Sequence, residues 1–290
     1  MMKQKYLLNK NVKIYYEIEK KDKMIVYLHG SGCNHTVFNS YREYFQKSGF
    51  GFISIDQRGN GKSSRPISSK EYVLGNYVSD LEKIMKKESI GKAILVSHSL
   101  GTMVAQGYAI KNPENVLALV LISPSYNFKK TFERDMTRKT FLSLYPLTKQ
   151  LLTRYNQVTV LGNFHRKQYY PDYSQKRFME MDDAEFLKET YRENTFRNIR
   201  ALHIMSQALM KWDLEKDISK IQCPTLIIHG TYDQLVPIKT AYELYEMIPK
   251  AEDPVIIPSL THSLVFHYPK LMIKSIEEFL LNQGILEKKA

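Results

Sequence analysis

Apolar residues gather along this chain in short, bounded runs. Tyr6–Leu8 and Val12–Ile18 flank the polar segment Asn9-Lys10-Asn11, a pattern that predicts a β-hairpin. Met24–Leu28, Phe52–Ile55, Ala93–Val96 and Leu117–Ile122 follow as compact runs without polar alternation. Strands of that kind are buried on both faces, as in a parallel sheet covered by helices. Between them the period changes: Tyr77, Leu81, Ile84 and Met85 stand at i, i+4, i+7 and i+8, one face of a helix. Strands alternating with helices predict an α/β fold with a mostly parallel central sheet flanked by helices.

The alternation stops at Tyr126. From there to Glu215 no strand-like run occurs, Gly162 is the only glycine, and fifteen aromatic residues are concentrated. This segment reads as a helical insertion with much ring surface to bury. The earlier pattern then resumes with Thr225–Ile228, a helix near Thr240–Ile248, the run Val255–Ile257 and a final helix near Pro269–Leu281. The expected organisation is a core formed by residues 1–125 and 216–290, interrupted by a cap over residues 126–215.

Composition changes this picture little. A chain of 290 residues can bury roughly 75% of its unfolded surface, enough for one core with an insertion. The opening MMKQKYLLNKNVK has no apolar stretch of signal-peptide length. The longest apolar run, Val116–Ile122, is far short of the roughly 20 residues of a membrane span. Cys33 and Cys223 make no disulfide framework and suit a reducing compartment, so a cytoplasmic location without a membrane span is expected. The net charge of +12 raises the question of nucleic acid, but opposite charges are interspersed throughout and no zinc spacing or basic heptad helix accompanies them. Nucleic-acid binding is therefore not expected, and nothing in the pattern fixes an oligomeric state.

Open parallel sheets place their chemistry on loops at the carboxyl ends of the strands. Those loops here carry His29-Gly30-Ser31-Gly32, then Asp56-Gln57-Arg58-Gly59-Asn60-Gly61-Lys62-Ser63, then Ser97-His98-Ser99-Leu100-Gly101. The later ones carry His229-Gly230-Thr231-Tyr232-Asp233 and Pro258-Ser259-Leu260-Thr261-His262. A serine becomes a useful nucleophile at neutral pH only beside a base, and the base needs an orienting acid. Ser99, Asp233 and His262 supply the three groups in that chain order. The Gly59/Gly61 turn lacks the strand–GxGxxG–helix context of a dinucleotide site, and no metal cluster stands out, so neither a cofactor nor a metal is expected.

The motifs H-G-S-G, D-Q-R-G-N-G-K-S, S-H-S-L-G, G-T-Y-D-Q-L-V-P and H-x4-H-x-P, in this order, resemble the α/β-hydrolase fold superfamily, in particular its serine hydrolases with a helical cap. The resemblance implies that Ser99 is the nucleophile of a strand-to-helix elbow, His262 the base and Asp233 its acid. Gly101 is the small residue required on the helix side, while Ser97 stands where a glycine is usual. It also implies oxyanion donors at the backbone N–H groups of Leu100 and Ser31, with Gly32 as the runner-up. His98 is then packing or pocket wall, His267 is structural, Asp56 serves loop architecture, Asp253 lies at the wrong end of the sheet, and Cys33 is a buried filler or pocket border. The implied activity is hydrolysis of a small-molecule carboxylic ester through an acyl-enzyme. C–C bond or amide hydrolysis by the same triad, and slow-turnover ligand sensing, are the alternatives. The cap, with Phe128, Phe132, Phe141, Tyr145, Phe164, Tyr169, Phe178 and Trp212, is expected to close over Ser99 and favour small to medium apolar acyl groups.

Overall fold

A computed structural model describes residues 1–133 and 199–287. In chain order these form β1 (Lys3–Asn9), β2 (Val12–Glu19), β3 (Met24–Leu28), α1 (Asn39–Lys47), β4 (Gly51–Ile55), α2 (Leu74–Lys87), β5 (Ala93–His98), α3 (Leu100–Lys111) and β6 (Val116–Ile122). The chain continues with α4 (Phe128–Glu133), α5 (Ile199–Leu209), β7 (Thr225–Gly230), α6 (Lys239–Met247), β8 (Val255–Ile257), α7 (Leu264–His267) and α8 (Pro269–Asn282).

The eight strands make one sheet in the order β1-β2-β4-β3-β5-β6-β7-β8. The hairpin β1–β2 and the β2–β4 pair are antiparallel, and every other pair is parallel. Because β3 lies between β4 and β5, successive crossovers depart in opposite directions from it. The carboxyl ends of β3 and β5 therefore stand side by side at the point where the strand order reverses, where open α/β sheets bind their ligands.

Side-chain alternation assigns the two cores. Ile25, Tyr27, Ile94 and Val96 pack with Tyr41 and Phe45 of α1 and Ile276 and Phe279 of α8 on one face. Val26, Leu28 and Leu95 pack with Leu81 and Ile84 of α2 and Met103 of α3 on the other. Several strands run further than their apolar residues alone predict, among them β1, which spans Lys3–Asn9 around the run Tyr6–Leu8. β5 continues through Ser97 and His98, which pair with Leu121 and Ile122, and β7 continues through His229 and Gly230, which pair with Ile256 and Ile257. A neighbouring strand with free ladder groups extends the pairing past the point where side chains turn polar.

The two ends of the expected cap are described, and they meet. Asn127 bridges Asp213, the Leu214 N–H donates to the Tyr126 carbonyl at 2.9 Å, and Lys130 pairs with Glu215. Trp212 is buried, its Nε1 donating to the Tyr72 carbonyl at 3.0 Å and its ring standing edge-on to Tyr77. Residues 134–198, with Phe141, Tyr145, Phe164, Tyr169 and Phe178, lie outside the described residues. Among the described residues no helix is long and apolar enough to cross a membrane.

The loop after β4 is tied down by one buried ion pair. Arg58 donates from Nε to Asp80 Oδ2 at 2.7 Å and from Nη2 to Oδ1 at 2.8 Å, while Nη1 reaches the Glu71 carbonyl at 2.8 Å. Arg58→Met would leave the buried Asp80 carboxylate with a neutral donor, Asn9 Nδ2 at 2.7 Å, in place of its cation. Breaking a buried pair from one side costs about 3–5 kcal/mol. Urea unfolding of the Arg58→Met variant should show a loss in that range; a change below about 1 kcal/mol would remove this pair from the account of the fold.

Candidate active site

Ser99 sits between β5 and α3 with φ 51° and ψ −118°, a region a side-chain-bearing residue seldom occupies. Such backbone costs of order 1–3 kcal/mol and persists only where the surroundings over-determine it. Here the Ser99 N–H donates to the Ile122 carbonyl at 3.0 Å, and the Ser99 carbonyl accepts from the Thr102 N–H at 2.9 Å and Thr102 Oγ1 at 2.6 Å. Gly101 is required because α3 begins hard against the end of β3: a Cβ there would lie 2.2 Å from the Leu28 carbonyl oxygen. On the strand side, the Ser97 hydroxyl donates to the Val120 carbonyl at 2.8 Å. The hydroxyl that replaces a glycine hydrogen is thus satisfied within the sheet, and Ser97 is committed to the β-ladder.

Three distant segments converge on Ser99. His262, in the loop after β8, places Nε2 2.8 Å from Ser99 Oγ, and its Nδ1 donates to Asp233 Oδ2 at 2.7 Å. A ring that donates from Nδ1 to a carboxylate keeps the Nε2 lone pair for the serine hydroxyl when neutral. Asp233 follows β7, and its second oxygen accepts from the Leu235 and Val236 N–H groups at 2.9 and 2.8 Å. Burial alone would raise the Asp233 carboxyl. The charge and hydrogen bond of His262, helped by His229 and the Val236 N–H, instead hold it well below the usual carboxylate range. Asp233 is therefore a carboxylate at neutral pH, a negative charge behind a histidine that faces a half-buried serine.

The turn after β3 packs beside this chain. A Cβ on Gly30 would come within 3.2 Å of Ser99 Cβ and 2.8 Å of His98 Nδ1, so the backbone approaches as closely as a glycine permits. The Gly32 N–H is engaged, donating to Asn60 Oδ1 at 3.0 Å. Leu100 is the first residue of α3, and its N–H is one of the donors a helix leaves without an intrahelical acceptor.

Other sequence candidates lie elsewhere. Asp56 accepts from the His35 ring at 2.7 Å and the Lys62 N–H at 2.7 Å, holding its own loop. Asp253 precedes β8, at the opposite end of that strand from His262. His267 closes α7, and burial lowers its pKa to about 4. Cys33 is buried, which pushes its thiol up to about 12 and keeps it protonated and unreactive. Among the described residues no group of three His, Cys, Asp or Glu side chains is arranged to hold a metal ion.

Sequence reasoning assigned His98 to packing, and its ring does lie 5.7 Å from that of Phe266. The structure adds a bond: His98 Nε2 donates to the His262 carbonyl at 3.0 Å. His98 is one of three buried histidines at the carboxyl ends of parallel strands, β3, β5 and β7. His29 donates from Nδ1 to the Gly30 carbonyl at 2.7 Å and accepts the Gln57 N–H at 3.0 Å, and His229 donates to the Val236 carbonyl at 3.0 Å. Each ring pins the backbone of a site loop. The segments Y-L-H-G, V-S-H-S and I-I-H-G, each an apolar run ending in histidine and a small residue, carried that signal in the sequence.

With fold and site described, comparison with known proteins gives the class. The α/β-hydrolase fold family matches residues 23–268, and the chain belongs to it. It is 27% identical over 247 residues to the AB hydrolase superfamily protein YisY of Bacillus subtilis, covering 83% of this chain and 86% of that one. It is 25% identical over 287 residues to a proline iminopeptidase of Saccharolobus solfataricus, covering 93% and 89%. Among solved structures, the esterase EaEST from Exiguobacterium antarcticum superposes with a TM-score of 0.75 at 21% identity, over 93% of this chain and 96% of that one.

The buried histidines make stability depend on pH. Burial lowers His29 and His229, and it lowers His98, next to His262, from 6.5 to about 3. Between those two values the unfolded chain binds a proton that native His98 does not, so stability rises with pH across this window and falls as the solution is acidified. Each such proton contributes a slope of about 1.4 kcal/mol per pH unit. His98→Phe, which titrates in neither state, should flatten the dependence of unfolding free energy on pH by about one proton between roughly pH 4 and 5.5. Parallel curves for the two proteins would show that native His98 takes up its proton normally.

Proposed function

We propose that this protein is a serine hydrolase that cleaves carboxylic esters through an acyl-enzyme, with Ser99 as nucleophile, His262 as general base and acid, and Asp233 as the orienting acid. One observation carries the reading: an unbroken hydrogen-bonded chain, 2.7 Å from Asp233 to His262 and 2.8 Å from His262 to Ser99. These lengths lie within the reach that proton transfer requires.

Ser99 Oγ attacks the ester carbonyl carbon as His262 Nε2 takes the hydroxyl proton. The Ser31 and Leu100 N–H groups receive the negative charge that develops on the carbonyl oxygen. Donors fixed in place before reaction stabilise such an oxyanion without reorganising, and one of them is worth about 10²–10³ in kcat. The tetrahedral adduct collapses, the ester C–O bond breaks, and the proton on His262 passes to the departing alkoxide. Water then attacks the acyl-serine, giving up a proton to Nε2, and collapse releases the acid as that proton returns to Ser99. Ester and water become alcohol and acid, and the enzyme is restored. Asp233 holds the ring throughout and offsets its transient positive charge.

We assign residues 126–215 as the cap over this site and expect small to medium apolar acyl groups to fit beneath it. The aromatic content of that segment supports an apolar pocket, where each buried methylene adds about 0.8 kcal/mol until the space is full. A second reading, amide hydrolysis by the same three residues, is favoured by the proline iminopeptidases among the relatives.

A fluorophosphonate probe should label the wild type and Ser97→Ala but not Ser99→Ala. His262→Ala should lose on the order of 10⁶ in kcat, and Asp233→Asn up to about 10⁴. Full labelling of Ser99→Ala would sink the assignment. Across p-nitrophenyl esters of two to sixteen carbons, kcat/KM should peak at short or middle lengths, and prolyl-2-naphthylamide should turn over more slowly than the best ester. A preference for the amide would replace the ester reading with the second one, and an optimum at sixteen carbons would point to an open groove.

A further inference from the structure

An oxyanion donor works only if it is aimed, and the turn that carries Ser31 does not aim itself. It is flanked by Gly30 and by Gly32, the latter at φ 75°, and within the turn that freedom is checked by one long bond, from the Cys33 N–H to the Gly30 carbonyl at 3.3 Å. Functional groups must be held to within about 0.5 Å, and that requires support from outside the turn.

The support comes from Asn60, in the loop after β4. Asn60 is buried, and its Oδ1 accepts the Gly32 N–H at 3.0 Å. Its Nδ2 donates to the Arg58 carbonyl at 3.1 Å and, more weakly, to the Gln57 carbonyl at 3.4 Å. The orientation of this amide is not free. Turning it over would set Oδ1 against two carbonyls, which only accept, and the amino group against an N–H, which only donates. The platform beneath is equally fixed: the Gln57 N–H donates to His29 Nε2 at 3.0 Å, and Gln57 Nε2 donates to the His29 carbonyl at 2.5 Å. Arg58 is clamped to Asp80. A rigid loop thus reaches across to grip the residue immediately after Ser31. With the Gly32 N–H engaged by Asn60, Ser31 rather than its runner-up is the donor assigned to the oxyanion.

We propose that Asn60 is a positioning residue for the oxyanion turn, setting the direction of the Ser31 N–H without touching the reacting atoms. The proposal rests on the reading of Ser99 as nucleophile and Ser31 as oxyanion donor. It predicts a defect confined to the tetrahedral stage: Asn60→Ala should lose about 10- to 100-fold in kcat, the scale of a misplaced group, with KM within about 2-fold. Inhibition by an alkyl trifluoromethyl ketone, whose serine adduct carries an oxyanion, should weaken by the same factor. Asn60→Ser, whose side chain is too short to reach Gly32, is the second variant and should show the same paired losses. Ser99→Ala, assayed alongside, separates the two claims. If Ser99→Ala stays active, the nucleophile assignment fails and takes this proposal with it. If Ser99→Ala is dead while a folded Asn60 variant keeps wild-type kcat and ketone affinity, Asn60 is only a structural residue and the proposal alone is overturned.

Discussion

A serine at φ 51° and ψ −118° relaxes unless its neighbours forbid it, and here they do so from three sides. The Ile122 carbonyl of β6 holds its N–H, Thr102 in the first turn of α3 holds its carbonyl, and the end of β3 lies against Gly101. The strain is confined because the sheet is fully paired around it and both faces are packed. Release would require β3, β5 and α3 to separate, which means opening the core. The same close approach brings the turn after β3 against the serine, so serine and turn are positioned by one packing constraint.

Around that point many buried polar groups are held by a fixed partner, though His98 Nδ1, His229 Nδ1 and Gln57 Oε1 have none among the described residues. The three strand-end histidines stay neutral and serve as rigid donors to backbone carbonyls, a task a charged ring would perform only at a large desolvation cost. Charges are handled differently. Glu17 accepts from Tyr15 Oη at 2.8 Å and Arg42 at 2.7 Å, and His35 lies between it and Asp56. Burial would raise both carboxyls, and their donors bring both below the ordinary range. That cluster joins β2, α1 and the segments after β3 and β4 beneath the site. It contributes firmness rather than chemistry.

The strand–helix alternation was legible because buried parallel strands are written as unbroken apolar runs, and Ala93–Val96 and Thr225–Ile228 each lie inside the observed strand. Their extension through Ser97-His98 and His229-Gly230 was not, since ladder pairing depends on what the neighbouring strand offers. Ser99, Asp233 and His262 stood out because a serine, an acid and a histidine on strand-end loops are the residue types a hydrogen-bonded chain of this kind needs, and the structure brings the three into contact. The histidine bonds were half-visible, as a repeated run-end pattern with no stated purpose. Asn60 was invisible as a support. It was read with its motif, and its bond to Gly32 spans 28 residues that no local rule connects.

The bridge between Asn127 and Asp213 has a consequence for how such a chain changes over generations. The path leaves the sheet and returns to it through a single pinched neck, so the sheet registers the neck rather than the length of what hangs from it. Doubling the length of chain between two fixed ends adds only about 0.6 kcal/mol of closure entropy. Length can therefore be added or removed between the two ends of the neck at little cost to the sheet, provided that Met205 and Trp212 keep their places against Asn60 and Tyr72.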